Sequence, residues 1–161
     1  MAALQKVDHA ALRTNQALII GLSLLAFVLD MPAFAAFVGL VMLAGTILKR
    51  PGFGIIYSKV FRPLGVVRPD IDEDHPEPHR FAQGFGAVVM LVGVLALAIG
   101  FDPLGWSLVW LVIALAALNL FGGFCVGCTL YYWFNRMQVP GFTKSPPPGN
   151  APGMRSNLEG K

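Results

Sequence analysis

The sequence predicts an all-α integral membrane protein whose four transmembrane helices form two tandem parallel hairpins, each followed by an interfacial helix. Of its 161 residues, 55% are hydrophobic and 13% are charged, and the mean hydropathy is +0.63. Soluble domains carry about 25% charged residues, so the composition excludes an ordinary soluble domain. The apolar residues form long uncharged runs, as in multi-pass membrane proteins. The two halves of the chain also share landmarks, which predict the repeat.

Uncharged stretches supply the predicted spans. They cover about residues 14–29, 32–48, 82–101 and 104–121. A span needs about 20 apolar residues, but the last uncharged run continues as far as Asn135. We expect Gly122-Gly123 to interrupt this run, because glycine is poor in helix interiors and permits a change of chain direction.

The basic residues predict the orientation of the spans. All twelve lysines and arginines lie in the N-terminal arm, the central loop or the C-terminal tail, and the turns around Asp30 and Asp102 contain none. By the positive-inside rule, both termini and the central loop face the cytoplasm. The bases are scattered and are not clustered with exposed aromatic residues, which excludes nucleic acid as a partner. The partner that the composition predicts is the lipid bilayer.

Three landmarks recur along the chain and predict an internal repeat. They are Arg13-Thr14-Asn15-Gln16 with Arg80-Phe81-Ala82-Gln83, Asp30 with Asp102, and Gly52-Phe53 with Gly123-Phe124. The offsets are 67, 72 and 71 residues, so one short insertion in the second unit reconciles them. Each unit holds two spans, and the two copies are therefore parallel, related by an axis along the membrane normal.

The segments that follow the two hairpins predict helices at the cytoplasmic interface. Residues 52–62 are too few and too basic to span, but their apolar residues recur at helical spacing. Residues 124–136 contain a cluster of four aromatic residues, which is typical of the headgroup level. The acidic, proline-containing stretch 70–77 predicts a solvated loop, and the proline- and glycine-rich tail 137–161 predicts disorder.

Glycine spacing in the third span predicts a close approach between helices. Gly86, Gly93 and Gly100 recur every seven residues, which places them on one stripe of a helix and lets a neighbouring backbone come near. The stripe suits packing within the chain, in a homo-oligomer or against a larger membrane complex. Gln16 and Gln83, at the edges of spans, are expected to hydrogen-bond between helices.

The reactive potential of the chain lies in a CxxC motif, Cys125 and Cys128. The charge pattern places it on the reducing side of the membrane, where structural disulfides are rare. Thiol chemistry, metal binding and two small buried residues remain as alternatives. A helix that begins after Gly123 would favour a thiolate through its dipole. Cys125 would then be the attacking thiolate and Cys128 the resolving partner.

A zinc site is one of these alternatives. The loop before the third span carries His75 and His79, which would complete a Cys2His2 set with Cys125 and Cys128. A second CxxC motif, which would favour zinc strongly, is absent from the sequence. The sequence identifies no other cofactor.

Two motifs resemble those of a known family. RFAQ at residues 80–83 and GFCxGC at residues 123–128 are similar to the motifs of an uncharacterised bacterial domain-of-unknown-function family, mainly actinobacterial, of four-helix integral membrane proteins. The resemblance covers about residues 8–136 and implies a protein of the bacterial inner membrane. Sulfurtransferase and thioredoxin-like genes near family members imply thiol or sulfur handling with such a partner. The resemblance implies no reaction, substrate or cofactor.

These features lead to two functional hypotheses. In the first, the Cys125/Cys128 pair exchanges disulfides, or carries sulfane sulfur, with a soluble partner at the cytoplasmic face. In the second, the chain is a non-catalytic accessory or assembly subunit that binds a larger membrane complex through the stripe of Gly86, Gly93 and Gly100. The sequence leaves open whether the chain is an enzyme.

Overall fold

A computed structural model describes residues 5–65, 67–146 and 151–154 of the chain. Over these residues the regular secondary structure is helical apart from one short two-stranded ribbon and an isolated bridge between Phe124 and Met154. The elements in chain order are β1 (Gln5–Asp8), α1 (His9–Val28), α2 (Pro32–Ile47), α3 (Gly54–Ile56), a π-helical segment (Tyr57–Phe61), β2 (Ile71–Asp74), α4 (Pro76–Ala98), α5 (Asp102–Gly122) and α6 (Val126–Arg136). The predicted helical class is confirmed.

Three of these helices are long and apolar enough to cross a membrane. They are α1, α4 and α5, with 20, 23 and 21 residues. The apolar helix α2 has 16 residues, or about 24 Å of helix at 1.5 Å per residue, against a hydrocarbon core of about 30 Å. The helices therefore have the length and composition of a membrane protein, as the sequence predicts.

The four apolar helices pack as two hairpins side by side. α1 lies against α2 and α5, and α4 lies against α2 and α5. The core is made of apolar side chains from all four helices. Those completely shielded from solvent are Ala26, Ala35, Val38, Ala87, Met90 and Val109.

Helices α1 and α4 begin several residues before the predicted membrane spans. α1 begins at His9, before the predicted residue 14, because Asp8 caps it by accepting a hydrogen bond from the Ala10 amide at 3.0 Å. α4 begins at Pro76, before the predicted residue 82, and proline suits the first turn of a helix. The additional turns extend both helices beyond the apolar stretch, where polar side chains can gather.

Two of the three predicted packing glycines lie between helices of the same chain. A Cβ atom at Gly86 would meet Met42 Cε of α2 at 2.9 Å, and one at Gly93 would meet the Gly105 carbonyl oxygen of α5 at 3.0 Å. Gly100 corrects the prediction. It lies beyond the end of α4 with φ +80°, and a Cβ atom there would meet no described atom within 4 Å. Its role is to turn the chain, because few other residues adopt a positive φ.

The stretch predicted as a solvated loop instead forms β2 and the start of α4. β2 pairs antiparallel with β1, so that Gln5 lies opposite Asp74 and Asp8 opposite Ile71. Asp8 joins three elements. Its carboxylate accepts hydrogen bonds from the Asp70 amide at 3.1 Å and the Tyr57 hydroxyl at 2.8 Å, besides the cap of α1. The ribbon therefore holds the central loop against the ends of the helices.

Part of the tail predicted to be disordered packs on the helices. Phe142 contacts Phe81 of α4 and Tyr131 of α6, with ring centroids 5.3 and 5.0 Å away. The Gly153 carbonyl accepts a hydrogen bond from the Cys125 amide at 2.8 Å. Residues 147–150 and 155–161 lie outside the described part of the chain.

Candidate functional site

The CxxC motif lies at the start of α6. α5 ends at Gly122, the predicted interruption, and Gly123 turns the chain with a left-handed φ of 63°. Cys125 then adopts an extended conformation and caps α6, with its Sγ accepting a hydrogen bond from the Cys128 amide at 3.2 Å. The donor of this bond is one of the free amides at a helix start, which favour negative charge on the acceptor.

Cys125 and Cys128 are joined by a disulfide bond. The spacing of three residues places the two side chains about one helical turn apart, within reach of each other. Both are buried, with 6% of Cys125 and 3% of Cys128 exposed. The two sulfurs are therefore bonded to each other and almost completely shielded from solvent.

His79, in the first turns of α4, faces this disulfide. Its Nδ1 lies 3.6 Å from Cys128 Sγ, and its Nε2 lies 2.9 Å from Asp74 Oδ2. An ionised carboxylate only accepts hydrogen bonds, so Nε2 donates to Asp74. In the neutral ring with its proton on Nε2, Nδ1 is the nitrogen that presents a lone pair to the sulfur. The side chains thus form a line from Asp74 through His79 to Cys128.

The ionisation state of the Asp74 carboxyl group follows from its surroundings. Burial on its own raises the pKa of this carboxyl, but the hydrogen bond from His79, the charge that His79 and His9 carry when protonated, and the His75 amide at 2.7 Å lower it. The net result is an Asp74 pKa below the ordinary value, so Asp74 is a carboxylate at neutral pH and orients the imidazole. His9 Nε2 also lies 3.8 Å from Asp74 Oδ2, which adds a second imidazole beside the same carboxylate.

Three of the four predicted zinc ligands come together. Ligand atoms of His79, Cys125 and Cys128 all lie within 4.8 Å of one another. His75, the fourth, corrects the prediction, because it caps α4 in an extended conformation and does not join this group. Its Nδ1 is buried with no hydrogen-bond partner among the described residues. Asp74 is a member of the site that the sequence pattern does not reveal.

A cavity of about 100 Å³ opens beside Cys125. Its walls come from α1, α2, α4, α5 and the start of α6, and are mostly apolar. The lining includes the amides of Gln16, Gln83 and Asn119, together with His79 and Cys125. Gln83 forms the predicted interhelical hydrogen bond, since its Nε2 donates to the Met42 carbonyl of α2 at 2.8 Å.

α6 reaches the site through a close helix crossing. A Cβ atom at Gly127 would lie 2.5 Å from Ala82 Cβ and 2.7 Å from Ala82 Cα, so only glycine lets α6 lie this close to α4. One turn further along the same face of α6, Tyr131 packs edge-on against Phe81 of α4, with ring centroids 5.9 Å apart. These contacts fix the distance between Cys128 and His79.

Comparison with known proteins gives the family of the chain and no further assignment. No curated protein and no solved structure matches it. A family model covers residues 7–136, which include both cysteines, His79, Asp74 and all the apolar helices. The chain belongs to the family described as a domain of unknown function, DUF4395.

Proposed function

We propose that this membrane protein exchanges disulfides with a partner protein through Cys125 and Cys128. The observation that carries the proposal is the line Asp74–His79–Cys128 beside a disulfide that begins a helix. A nucleophile, a base within reach of it and a group that orients the base form the arrangement that activates thiols in enzymes.

When the reduced protein reduces a partner's disulfide, each side chain of the site has a role in the proposed mechanism. Cys125, stabilised as a thiolate by the start of α6, attacks one sulfur of the partner's disulfide. The partner's other sulfur leaves as a thiolate and is protonated by water. Cys128 then passes its proton to His79 Nδ1, and Asp74 stabilises the imidazolium. The Cys128 thiolate attacks Cys125 Sγ and re-forms the intramolecular disulfide.

The products of these steps balance. The bond between Cys125 and the partner breaks, its electron pair leaves with the partner's sulfur, and His79 returns the proton to that sulfur. The partner gains two electrons and two protons and becomes a dithiol, while the cysteines become the disulfide found in the structure. Oxidation of a partner dithiol runs through the same steps in reverse.

Disulfide exchange is favoured over sulfur relay by the bonded state of the pair. A persulfide carrier needs one accessible cysteine, whereas here the two sulfurs are joined and are matched to different neighbours. The predicted partners are thioredoxin-like or sulfurtransferase proteins at the cytoplasmic face of a bacterial inner membrane. Support for that orientation comes from the sequence, in which all twelve lysines and arginines lie in the N-terminal arm, the central loop or the C-terminal tail and the turns around Asp30 and Asp102 contain none.

The alternative function, that of an accessory or assembly subunit, depends on a free glycine stripe on α4. An accessory subunit would dock through the glycine stripe, but Gly86 and Gly93 face α2 and α5 of the same chain and Gly100 lies outside the helix. Two of the three glycines are therefore already occupied within the bundle.

Access to the cysteines is narrow. Cys125 borders the cavity, and the segment 151–154 covers its backbone through the hydrogen bond between Cys125 and Gly153. Thr129, one turn into α6, also donates to the Pro152 carbonyl at 3.2 Å. A partner that attacks Cys125 must displace this part of the tail.

Trapping of the mixed disulfide in intact cells tests the proposal. In Cys128→Ser the resolving thiol is missing, so a partner should accumulate in a reducible covalent complex with Cys125, detected by non-reducing electrophoresis and mass spectrometry. Cys125→Ser, which removes the attacking thiol, is the matched control and should trap none. A chain that ends at residue 146 should trap the partner faster. Equal adducts in both cysteine variants, or none in either, would contradict the proposal.

Maleimide labelling tests the orientation in the same cells. Reduced cysteines at the cytoplasmic face should react with a membrane-permeant maleimide and be protected from an impermeant one. Labelling by the impermeant reagent would place the motif on the opposite side and exclude the predicted partners.

A further inference from the structure

We propose that the reduced form of this site binds a zinc ion through Cys125, Cys128 and His79. The inference rests on the same cysteines as the proposed function and needs them reduced, but it does not need a partner protein. The ligand atoms already lie within 4.8 Å of one another in the disulfide form. Two thiolates and one imidazole are the ligands that zinc prefers.

The distance between His79 and Cys128 suits a shared metal ion. Zinc lies about 2.3 Å from sulfur and about 2.0–2.1 Å from imidazole nitrogen, so two such ligands at a tetrahedral angle are about 3.5–3.6 Å apart. The separation between Nδ1 and Cys128 Sγ is 3.6 Å. When the disulfide is reduced, the two sulfurs move apart to non-bonded distance, which makes room for an ion between them.

Asp74 supplies a second, independent observation. Histidines that bind zinc usually donate their other ring N–H to a carboxylate, which fixes the tautomer and the ring orientation. Here Nε2 of His79 is held by Asp74 Oδ2 at 2.9 Å, and Nδ1 points to the sulfurs. Since Nδ1 is the nitrogen without a proton in this tautomer, it is ready to bind a metal ion.

The fourth coordination position faces the cavity beside Cys125. Three protein ligands and one open position are typical of zinc sites that hold water or substrate. The cavity of about 100 Å³ is large enough for a water molecule, and amides of Gln16 and Asn119 in its wall could hydrogen-bond to it. His75, predicted from sequence as the fourth ligand, lies outside the group.

Binding and disulfide formation are alternatives at this site. Zinc binding to the dithiol replaces two thiol protons, so two protons are released for each ion bound. The disulfide offers no thiolate and cannot hold the ion. The site therefore binds zinc in its reduced state alone, and occupancy of the metal protects both cysteines from oxidation.

A metal titration of the purified full-length protein in detergent tests the inference. After reduction with a phosphine, Zn²⁺ alone is titrated against a chromophoric chelator, and Co²⁺ is used in parallel to reveal thiolate-to-metal absorption. We expect one ion per chain, release of two protons, and loss of binding in the oxidised protein. Zinc binding that survives oxidation would overturn the inference, as would Cu⁺ binding without Zn²⁺ binding.

Variants distinguish this site from adventitious binding. Cys125→Ser, Cys128→Ser and His79→Ala should each abolish one-to-one binding, and Asp74→Asn should weaken it about 10- to 100-fold. His75→Ala is the matched control, from the same end of α4, and should bind as the unaltered protein does. Equal losses for His75→Ala and His79→Ala would overturn the assignment. If partner trapping fails while zinc binds as expected, the proposed function is wrong and the metal site stands. If a partner is trapped but zinc does not bind, the metal site is wrong and the proposed function stands.

Discussion

The segments that follow the two hairpins occupy corresponding places in the fold but differ in what holds them. After the first hairpin, the Phe53 amide donates to Asn15 Oδ1 of α1 at 2.9 Å. After the second, Gly127 lies against Ala82 of α4. Asn15 and Ala82 are both the third residue of the two similar motifs RTNQ (13–16) and RFAQ (80–83), 67 residues apart. Each segment therefore docks on the first helix of its own hairpin.

The two segments differ because the second carries the cysteine pair and the first carries no cysteine. The first segment is a short helix that becomes π-helical, with no side chain capping its start. The second is an 11-residue helix capped by a cysteine. In the first, a side-chain amide closes the contact. In the second, a glycine lets the helix come closer, and this approach brings Cys128 to His79. Under the proposed function, docking on the first helix of a hairpin would serve stability in the first segment and reactivity in the second.

The largest expected effect comes from removing the base. His79→Gln should slow disulfide exchange about 100-fold or more, because proton transfer by a positioned side chain contributes about 10²- to 10⁴-fold. The measurement is the rate of reduction of a model disulfide by the reduced protein. His75→Gln, at the same end of α4, should leave that rate unchanged, and a similar fall in both variants would mean that His79 acts only on stability.

A smaller loss is expected when α6 is moved away from α4. Gly127→Ala places a methyl group 2.7 Å from Ala82 Cα, so the helices must separate. We expect about a tenfold loss of exchange rate, the equivalent of about 1.4 kcal/mol. Adding Ala82→Gly removes the opposing methyl and should recover part of the rate. Gly21→Ala, where a Cβ meets nothing within 4 Å, is the control that should leave the rate unchanged.

Much of the fold could be predicted because it is encoded locally. Uncharged runs indicate apolar helices, and consecutive glycines indicate the end of α5, since both depend on neighbouring residues alone. The glycine stripe is wrong at Gly100 because a seven-residue spacing marks one face only while the helix continues, and α4 ends at Ala98.

The composition of the site could be predicted only in part. The cysteines are recognisable by spacing, but the choice of His79 over His75 depends on where α4 begins. His75 is four residues earlier, and it would share a face with His79 if the helix included it; as the extended cap it points elsewhere. Asp74 lies in a four-residue strand that pairs with β1. Such short, charged strands carry little of the alternating pattern that indicates a strand.

The first docking segment should affect stability and leave chemistry intact. Asn15→Ala removes the acceptor for the buried Phe53 amide, which should lower the free energy of unfolding by about 1–3 kcal/mol without changing the exchange rate. Ser23→Ala is the matched control in α1, because the Ser23 hydroxyl is buried with no hydrogen-bond partner among the described residues. A loss of exchange in Asn15→Ala at full stability would contradict the division between the two segments.

The smallest effect is a dependence of stability on pH that comes from Asp74. Its pKa is lowered in the folded protein, so its interactions contribute fully above the ordinary aspartate pKa of about 4. The contribution is lost as the pH falls through the lower folded value. The stability advantage over Asp74→Asn, on the order of 1 kcal/mol for a partly exposed pair, should therefore shrink below about pH 4. Unfolding of both proteins in detergent across that range measures it. An advantage that grew on acidification would mean that Asp74 is not the carboxylate that orients His79, and the chemical character of the second docking segment would then rest on the cysteines alone.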